Sequence, residues 1–301
     1  MYVNYEYYRI FYYVALCGGF TQAAAALHSN QPNITRAMNR LEDEVGCTLF
    51  IRTNRGVQLT PEGEGLLSHI RIAVNQIQQA EKELDAAKSL GHGSISISAT
   101  ETALHLFLLP ILQDFHFAHP AIRLHISNHT TPRAAAAVQS GDADFALVTD
   151  PLHVEAPLQA VSVLPFQEIL IGGKTFSALS SQTLSLQEIG QYSFIGLGSG
   201  TTTYTFYQRV FLSHGLTYEP DTSPETADQI LPLVRSNLGL AFLPRAMAQK
   251  DLADGQIVQI HLREEIPARH VYLLCNPTHP LGRAAKELRD DVLEAAKHNM
   301  G

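Results

Sequence analysis

Gln31, Asn33, Thr35, Arg36 and Arg40 crowd into one short stretch, HSNQPNITRAMNRLEDEVG, with Asn39 among them. Asn and Gln amides can pair with adenine through two hydrogen bonds, and Arg can do the same with guanine. Thr, or the N-terminus of a helix, can hold a phosphate oxygen. A solvated helix face ordinarily carries Glu and Lys. This one has no Lys, and its acids Glu42, Asp43 and Glu44 gather beyond the contact zone. The chemistry on offer is base reading in double-stranded DNA.

A second polar set lies downstream. Thr100 and Thr102, Thr130 and Thr131, Thr149, and Ser199, Thr201 and Thr202 each follow an apolar, strand-like run. In open α/β sheets a ligand sits outside the carboxyl ends of the strands, where helix N-termini converge. Ser and Thr also cap helices, which explains any one of these clusters alone. Four of them at corresponding strand ends point to a pocket for a small polar or anionic metabolite. Glu101 complicates this, because an inward carboxylate would repel an anion and favour a zwitterion or a neutral ligand. The sequence leaves its direction open.

Other chemistries find little support. The glycines of GLGSGT, residues 196–201, are not spaced as GxGxxG, and no Gly-Lys-Ser/Thr follows. There is no GxSxG nucleophile, no HExxH and no Cys/His zinc pattern, so no catalytic residue, metal ligand or cofactor is expected. His116 and His119 are spaced i, i+3 on an expected helix, a weak metal pair at most. Cys17, Cys47 and Cys275 lie far apart and read as inert thiols, not as a redox switch. The net charge of −8 argues against a chain coated in nucleic acid, although charge counts only where phosphates are. Within residues 1–65, Arg9, Arg36, Arg40, Arg52 and Arg55 face Glu6, Glu42, Asp43, Glu44, Glu62 and Glu64. Placement therefore has to carry any DNA reading. No apolar run approaches the roughly 18 residues a bilayer demands, and no signal or transit peptide fits, so a cytoplasmic protein with no membrane contact is expected.

The elements that must position these residues follow from spacing. Tyr8, Phe11, Val14 and Ala15 form a helical stripe ended by Gly18-Gly19. Thr21 reads as the N-cap of an alanine-rich helix to Leu27, and Asn30 as the N-cap of the next, with Pro32 in its first turn. Ile34, Met38, Leu41 and Val45 give that helix a core side, and Gly46 ends it. Two short helices across a tight turn make a helix-turn-helix, which pushes its second helix into a major groove about 12 Å wide. Leu49–Ile51 and Val57–Leu59 then read as a hairpin around Arg52-Thr53-Asn54-Arg55-Gly56. Its arginines Arg52 and Arg55 suit a wing along the DNA backbone or minor groove. Thr60-Pro61 starts a long helix with Leu66, Leu67, Ile70, Val74, Ile77, Leu84 and Ala87 on one side. That stripe must be covered, either by a second copy of itself or by the body of its own chain.

FYYVALCGGFTQAAAALHSNQPNITRAMNRLEDEVGCTLFIRTNRGVQLTPEGEGLL resembles the N-terminal domain of LysR-type transcriptional regulators. The Phe-Thr-x-Ala-Ala stretch, the Gln-Pro turn, RLEDEVGCTLF and LTPEG all fall at that family's spacing. Asn30 departs from the Ser often found there, a change between two good caps. The resemblance implies that Gln31, Asn33, Thr35 and Arg36 contact the operator and that Arg52 and Arg55 belong to the wing.

Beyond the Gly-rich SLGHGS at 89–94, read as a hinge, strand and helix patterns alternate. Strands are expected near 94–98, 122–126 and 145–148, then at 168–171, 192–195 and 239–243, with helices between them, implying parallel sheets. By resemblance these are the two lobes of an effector domain built like a periplasmic binding protein, with Thr100, Thr102, Thr149 and Thr202 foremost in its pocket. The fold expected is α/β overall. A winged helix-turn-helix spans 1–60, a linker helix and hinge 61–90, and a two-lobed effector domain 91–301. Lobe I holds 91–164 and 268–301 and lobe II holds 165–267, with crossings near Leu164-Pro165 and Pro267-Ala268. The function expected is a ligand-responsive regulator on a partly palindromic promoter site, paired through the linker helix. The resemblance extends this to a homotetramer, and RNA polymerase is a further possible partner.

Overall fold

In the computed structural model, residues 4–53, 56–88 and 93–299 are described. The chain divides into two compact units, residues 1–85 and 86–301.

In the first unit, α1 (Tyr5–Cys17) is capped by Asn4, whose side chain accepts from the Glu6 N–H at 2.9 Å, and ends at Gly18 in the left-handed region. Next, α2 (Phe20–Ala26) begins one residue before the expected cap: Gly19 holds that position, and Thr21 is an exposed residue inside the helix. The cause is Phe20, which is buried with its ring edge-on to Phe50, 5.9 Å between centroids. In α3 (Gln31–Val45), the Asn30 side chain accepts from the Asn33 N–H at 2.9 Å, and Ile34, Ala37, Met38 and Leu41 turn into the core. Gly46, with φ of +76°, closes it.

The hairpin of β1 (Phe50–Thr53) and β2 (Gly56–Leu59) is antiparallel, Phe50 opposite Leu59. Gly56 has a φ of +129°, and a Cβ there would lie 2.7 Å from the Gly18 carbonyl oxygen, so only glycine lets the hairpin close on the end of α1. Thr60 then caps the first turn of α4 (Pro61–Lys88), accepting from Gly63 N–H at 3.0 Å while donating to the Thr48 carbonyl at 2.8 Å. The 28 residues of α4 extend roughly 42 Å at about 1.5 Å each. The apolar stripe divides. Leu66, Leu67 and Ile70 pack on the core of their own domain, whereas Ile77 is 40% exposed. The side chains of Leu84 and Ala87, and residues 89–92 of the expected hinge, lie outside what is described.

The second unit opens with β3 (Ser94–Ala99) and α5 (Glu101–Ala103), which runs through a π-helical turn, Leu104–Leu108, into α6 (Leu109–Ala118). After these come β4 (Arg123–Asn128), α7 (Thr131–Ser140), β5 (Phe145–Thr149) and β6 (Gln159–Phe166). The next run is β7 (Glu168–Gly173), a 3-10 segment Lys174–Ser181, β8 (Thr183–Leu184), α8 (Leu186–Ile189), β9 (Phe194–Ile195) and α9 (Thr202–Ser213). A 3-10 turn, Ala227–Gln229, leads into α10 (Ile230–Arg235), followed by β10 (Leu240–Pro244), α11 (Arg245–Ala253) and β11 (Ile257–Leu262). Finally β12 (Arg269–Cys275) and α12 (Arg283–Asn299) return to the first sheet.

The two sheets run β4-β3-β5-β12-β6 and β8-β11-β7-β10-β9. Each is the centre of a lobe covered on both faces. In lobe I, Ile95, Ile97, Phe145 and Leu147 face the α6 and α12 side, while Ala146 and Val148 face α7. In lobe II, Leu170, Phe242 and Ile260 face α9, while Ile169, Ile171 and Leu243 face α10 and α11.

Two further expectations need correction. The sheets are mixed, not parallel: β12 runs antiparallel to β5 and β6, and β7 antiparallel to β10 and β11. The first crossing falls at Gln167, because Leu164, Pro165 and Phe166 belong to β6 and pair with β12. Pro165 cannot donate to a ladder, which suggests a break in the sequence, but β6 is an edge strand where a proline is tolerated.

Candidate functional site

Gln31, Asn33, Arg36 and Arg40 are exposed on α3, and Thr35 is half-buried beside them. Arg36 is pre-set on this face: its Nη2 donates to Asn33 Oδ1 at 2.7 Å and its Nε to the Pro32 carbonyl at 3.4 Å. Of the neighbouring acids, Glu42 and Glu44 are bonded within the domain, while Asp43 is exposed. Glu42 Oε1 accepts from the backbone N–H groups of Leu49 and Phe50, at 2.6 and 3.1 Å, tying α3 to the hairpin. Glu44 pairs with Arg40 at 3.2 Å. That pair is exposed, and such pairs contribute about 0–1 kcal/mol, so Arg40 is readily given up to a phosphate. Of the wing arginines, Arg52 lies in β1 with its side chain outside what is described, and Arg55 lies outside the described residues.

Between the two lobes lies a cavity of about 340 Å³. Thr100, Thr102, Thr130, Thr149, Thr201 and Thr202 all line it, whereas Ser199 does not and is exposed on its turn. Four N-cap threonines meet there: Thr100 of α5, Thr130 of α7, Thr201 of α9 and Thr226 of the turn before α10. The capping alternative holds for two of them. Thr100 accepts from Ala103 N–H at 3.3 Å and Thr201 from Tyr204 N–H at 3.1 Å. Thr130 and Thr226 make no side-chain cap bond. Thr102 is 7% exposed, and among the described residues its hydroxyl has no partner. The cleft is bridged by Thr202 Oγ1, which donates to Thr131 Oγ1 at 3.2 Å; Thr131 in turn donates to the Thr149 carbonyl at 3.0 Å.

Glu101 lines the cavity, but both its oxygens are engaged, with His105 Nε2 at 2.7 Å and Asn128 Nδ2 at 2.7 Å. His129, held by Ser98 Oγ at 2.9 Å, Arg133 and Glu225 complete the charged and polar wall. Sequence reasoning missed Asn128, His129, Arg133, Thr203 and Glu225. Asn128, His129 and Arg133 adjoin Thr130 and Thr131, so extending the strand-end rule by a turn would have found them.

Behind this wall lies Arg269, only 1% exposed and the most deeply buried charged residue among those described. Its Nη1 donates to Glu168 Oε1 at 3.0 Å, its Nε to the Asp150 carbonyl at 3.2 Å, and its Nη2 to the same carbonyl at 2.5 Å, to Thr149 Oγ1 at 3.1 Å and to Thr203 Oγ1 at 3.2 Å. The rings of Phe206 and Phe166 lie 4.9 and 5.5 Å from the guanidinium. Burial pushes the Glu168 carboxyl above its ordinary range, and the adjacent guanidinium opposes that rise. Burial also pushes the Cys275 thiol up, to about 11. His119 pairs with Glu287 at 3.2 Å instead of facing a metal with His116. No cluster of metal-holding residues occurs among the described residues, and no described helix is long and apolar enough to cross a membrane.

The first unit matches the bacterial regulatory helix-turn-helix of the lysR family over residues 5–64, and the LysR substrate binding domain matches residues 88–297. The chain belongs to the LysR family. LysR proteins are transcription regulators, not enzymes, and the two matched parts are the helix-turn-helix and effector domains of such a regulator. One similar relative is the RuBisCO operon transcriptional regulator of Allochromatium vinosum, 25% identical over 98% of this chain and 97% of its own. Among solved structures, ArgP from Mycobacterium tuberculosis superposes with a TM-score of 0.73 at 17% identity, covering 96% of each chain. Full-length CbnR complexed with its target DNA superposes with a TM-score of 0.69 at 17% identity, over 98% of this chain and 99% of that one.

Proposed function

We propose that this LysR regulator reads a partly palindromic promoter site through α3 and its wing, and changes transcription when a small polar or anionic metabolite occupies the interlobe cavity. The observation that carries the reading is the exposed amide and guanidinium face of α3, whose acidic neighbours Glu42 and Glu44 are bonded within the domain. Gln31, Asn33, Arg36 and Arg40 meet base edges or phosphates, Thr35 supports them, and Arg52 and Arg55 follow the backbone beside the groove. The exposed part of the α4 stripe around Ile77 pairs two copies, and pairs of dimers make a tetramer. Such a protein works in the cytoplasm, where it also meets RNA polymerase.

The cavity favours a ligand rich in acceptors. Unengaged hydroxyls of Thr102 and Thr130, the N-terminus of α7 and the guanidinium of Arg133 supply donors, while Glu101 is held by His105 and Asn128. Bending a 20–30 base-pair site costs on the order of 1–6 kcal/mol, comparable with an allosteric coupling of about 1–3 kcal/mol, so modest differential binding of the ligand switches the complex. The test is footprinting on duplexes from the protein's own locus. Gln31→Ala and Arg36→Ala should each weaken specific binding by about 1–3 kcal/mol, while Thr102→Val should keep the footprint and lose its ligand response. Unchanged footprints for both α3 variants would sink the assignment of the reading helix.

A further inference from the structure

Arg269 reaches both walls of the cavity at once. Thr149 ends β5 in lobe I, Thr203 stands in the first turn of α9 in lobe II, and one nitrogen, Nη2, reaches both hydroxyls, at 3.1 and 3.2 Å, its two N–H groups shared among them and the Asp150 carbonyl at 2.5 Å. Both threonines line the cavity. A hydroxyl has two lone pairs and a single proton, so one that accepts from a guanidinium directs its own proton elsewhere. Neither Thr149 Oγ1 nor Thr203 Oγ1 donates to any group among the described residues. Thr149 is 2% exposed, so its proton is not satisfied by bulk solvent.

The geometry points to Arg269 as the residue that fixes the ligand's acceptor group: it orients the Thr149 and Thr203 hydroxyls as a pair of donors, one from each lobe, aimed into the cavity. A carboxylate, phosphate or carbonyl oxygen taking both protons bridges the lobes. A ligand presenting only donors at that point finds no partner. Arg269 is a positioning residue, which acts through the two threonines without touching the ligand. Its surroundings hold it rigidly in that role. Nη1 donates to Glu168, the Asp150 carbonyl accepts from both Nε and Nη2, and Phe206 and Phe166 flank the guanidinium from lobe II and lobe I. The Thr202–Thr131 bond, 3.2 Å long, already links the two lobes. The inference rests on the interlobe cavity being the effector site.

The experiment titrates the full-length protein calorimetrically with inorganic phosphate and with malonate, using thermal melting to confirm folding of each variant. The wild type should bind at least one of these anions at a single saturable site. R269M and T149V should each weaken that binding at least tenfold, T149S should retain it, and the double variant R269M/T149V should be no more than about threefold worse than either single change. That non-additivity is the signature of action through the hydroxyl; a purely structural arginine would cost the same factor with or without Thr149. If R269M does not fold, R269K, which keeps the charge without the fork, is combined with T149V and T203V in the same way. Additive losses overturn the role of Arg269, and a T102V variant that still abolishes anion binding would then leave the cavity assignment standing. Wild-type affinity retained by T102V, T149V and T203V alike overturns the cavity itself and the inference with it. A wild type that binds neither anion overturns the acceptor preference.

Discussion

Glu42 offers a direct test of how the reading helix is fastened to its wing. Its Oε1 accepts two backbone N–H groups, from Leu49 at 2.6 Å and Phe50 at 3.1 Å, and Phe50 is the first residue of β1. A hydrogen bond to a charged group contributes about 1.5–3 kcal/mol, and here two donors share one oxygen of a half-buried side chain, so the lower end applies. Glu42→Ala should therefore cost about 2 kcal/mol, since two N–H groups of the strand lose their acceptor. Because about 1.4 kcal/mol is a factor of ten, amide hydrogen exchange at Leu49 and Phe50 should accelerate by about 30-fold. Glu42→Gln is the control. Its amide oxygen can take the same two bonds without the charge, so about 1 kcal/mol or less should be lost. Operator affinity should fall with the Ala variant and largely survive in the Gln variant. Exchange rates at Leu49 and Phe50 within threefold of wild type in Glu42→Ala would refute the fastening.

Gly63→Ala would place a Cβ 2.3 Å from the Leu49 carbonyl oxygen, so the first turn of α4 must shift, and denaturant unfolding of the first domain should show a loss of about 1–3 kcal/mol. A midpoint equal to wild type would show that the turn relaxes freely. Ile77→Glu puts a charge on the exposed part of the α4 stripe and should weaken self-association at least tenfold in sedimentation; unchanged assembly would place the subunit contact elsewhere. Cys275, with its thiol pushed up to about 11 from an ordinary value of 9.0, holds roughly a hundredfold less thiolate at neutral pH than an unperturbed cysteine. Alkylation by iodoacetamide should be slower in proportion and rise about tenfold per pH unit toward pH 11. Rapid labelling at pH 7 would reopen the redox reading.

The reading helix was legible because it obeys local rules: Asn30 caps it, Gly46 ends it, and the spacing of Ile34, Met38 and Leu41 sets which side is buried. The inward use of Glu42 was not legible, since its partners Leu49 and Phe50 meet it only after the chain turns back. The same contrast runs through the second unit. Threonines at strand ends identified much of the cavity, because strand ends and helix starts are local features. Ser199 follows the same pattern yet turns outward, and Arg269 is separated from Thr149 by 120 residues, beyond the reach of any periodicity. The strands β6 and β11 escaped notice for different reasons. Pro165 masks the first as a break, and the second is a half-buried lobe II strand flanked by polar turns.

The scarcity of basic side chains in the first unit has a consequence for how such a regulator would search a chromosome. Attraction to arbitrary duplexes grows with the number of counterions displaced by cations, and this domain supplies few arginines against a chain charge of −8. If α3 reads bases as proposed, random stretches should hold the protein briefly, and long residence should be confined to places where its amides and guanidinium groups find matching base edges. On that reading, selectivity would come as much from a weak background as from a strong target.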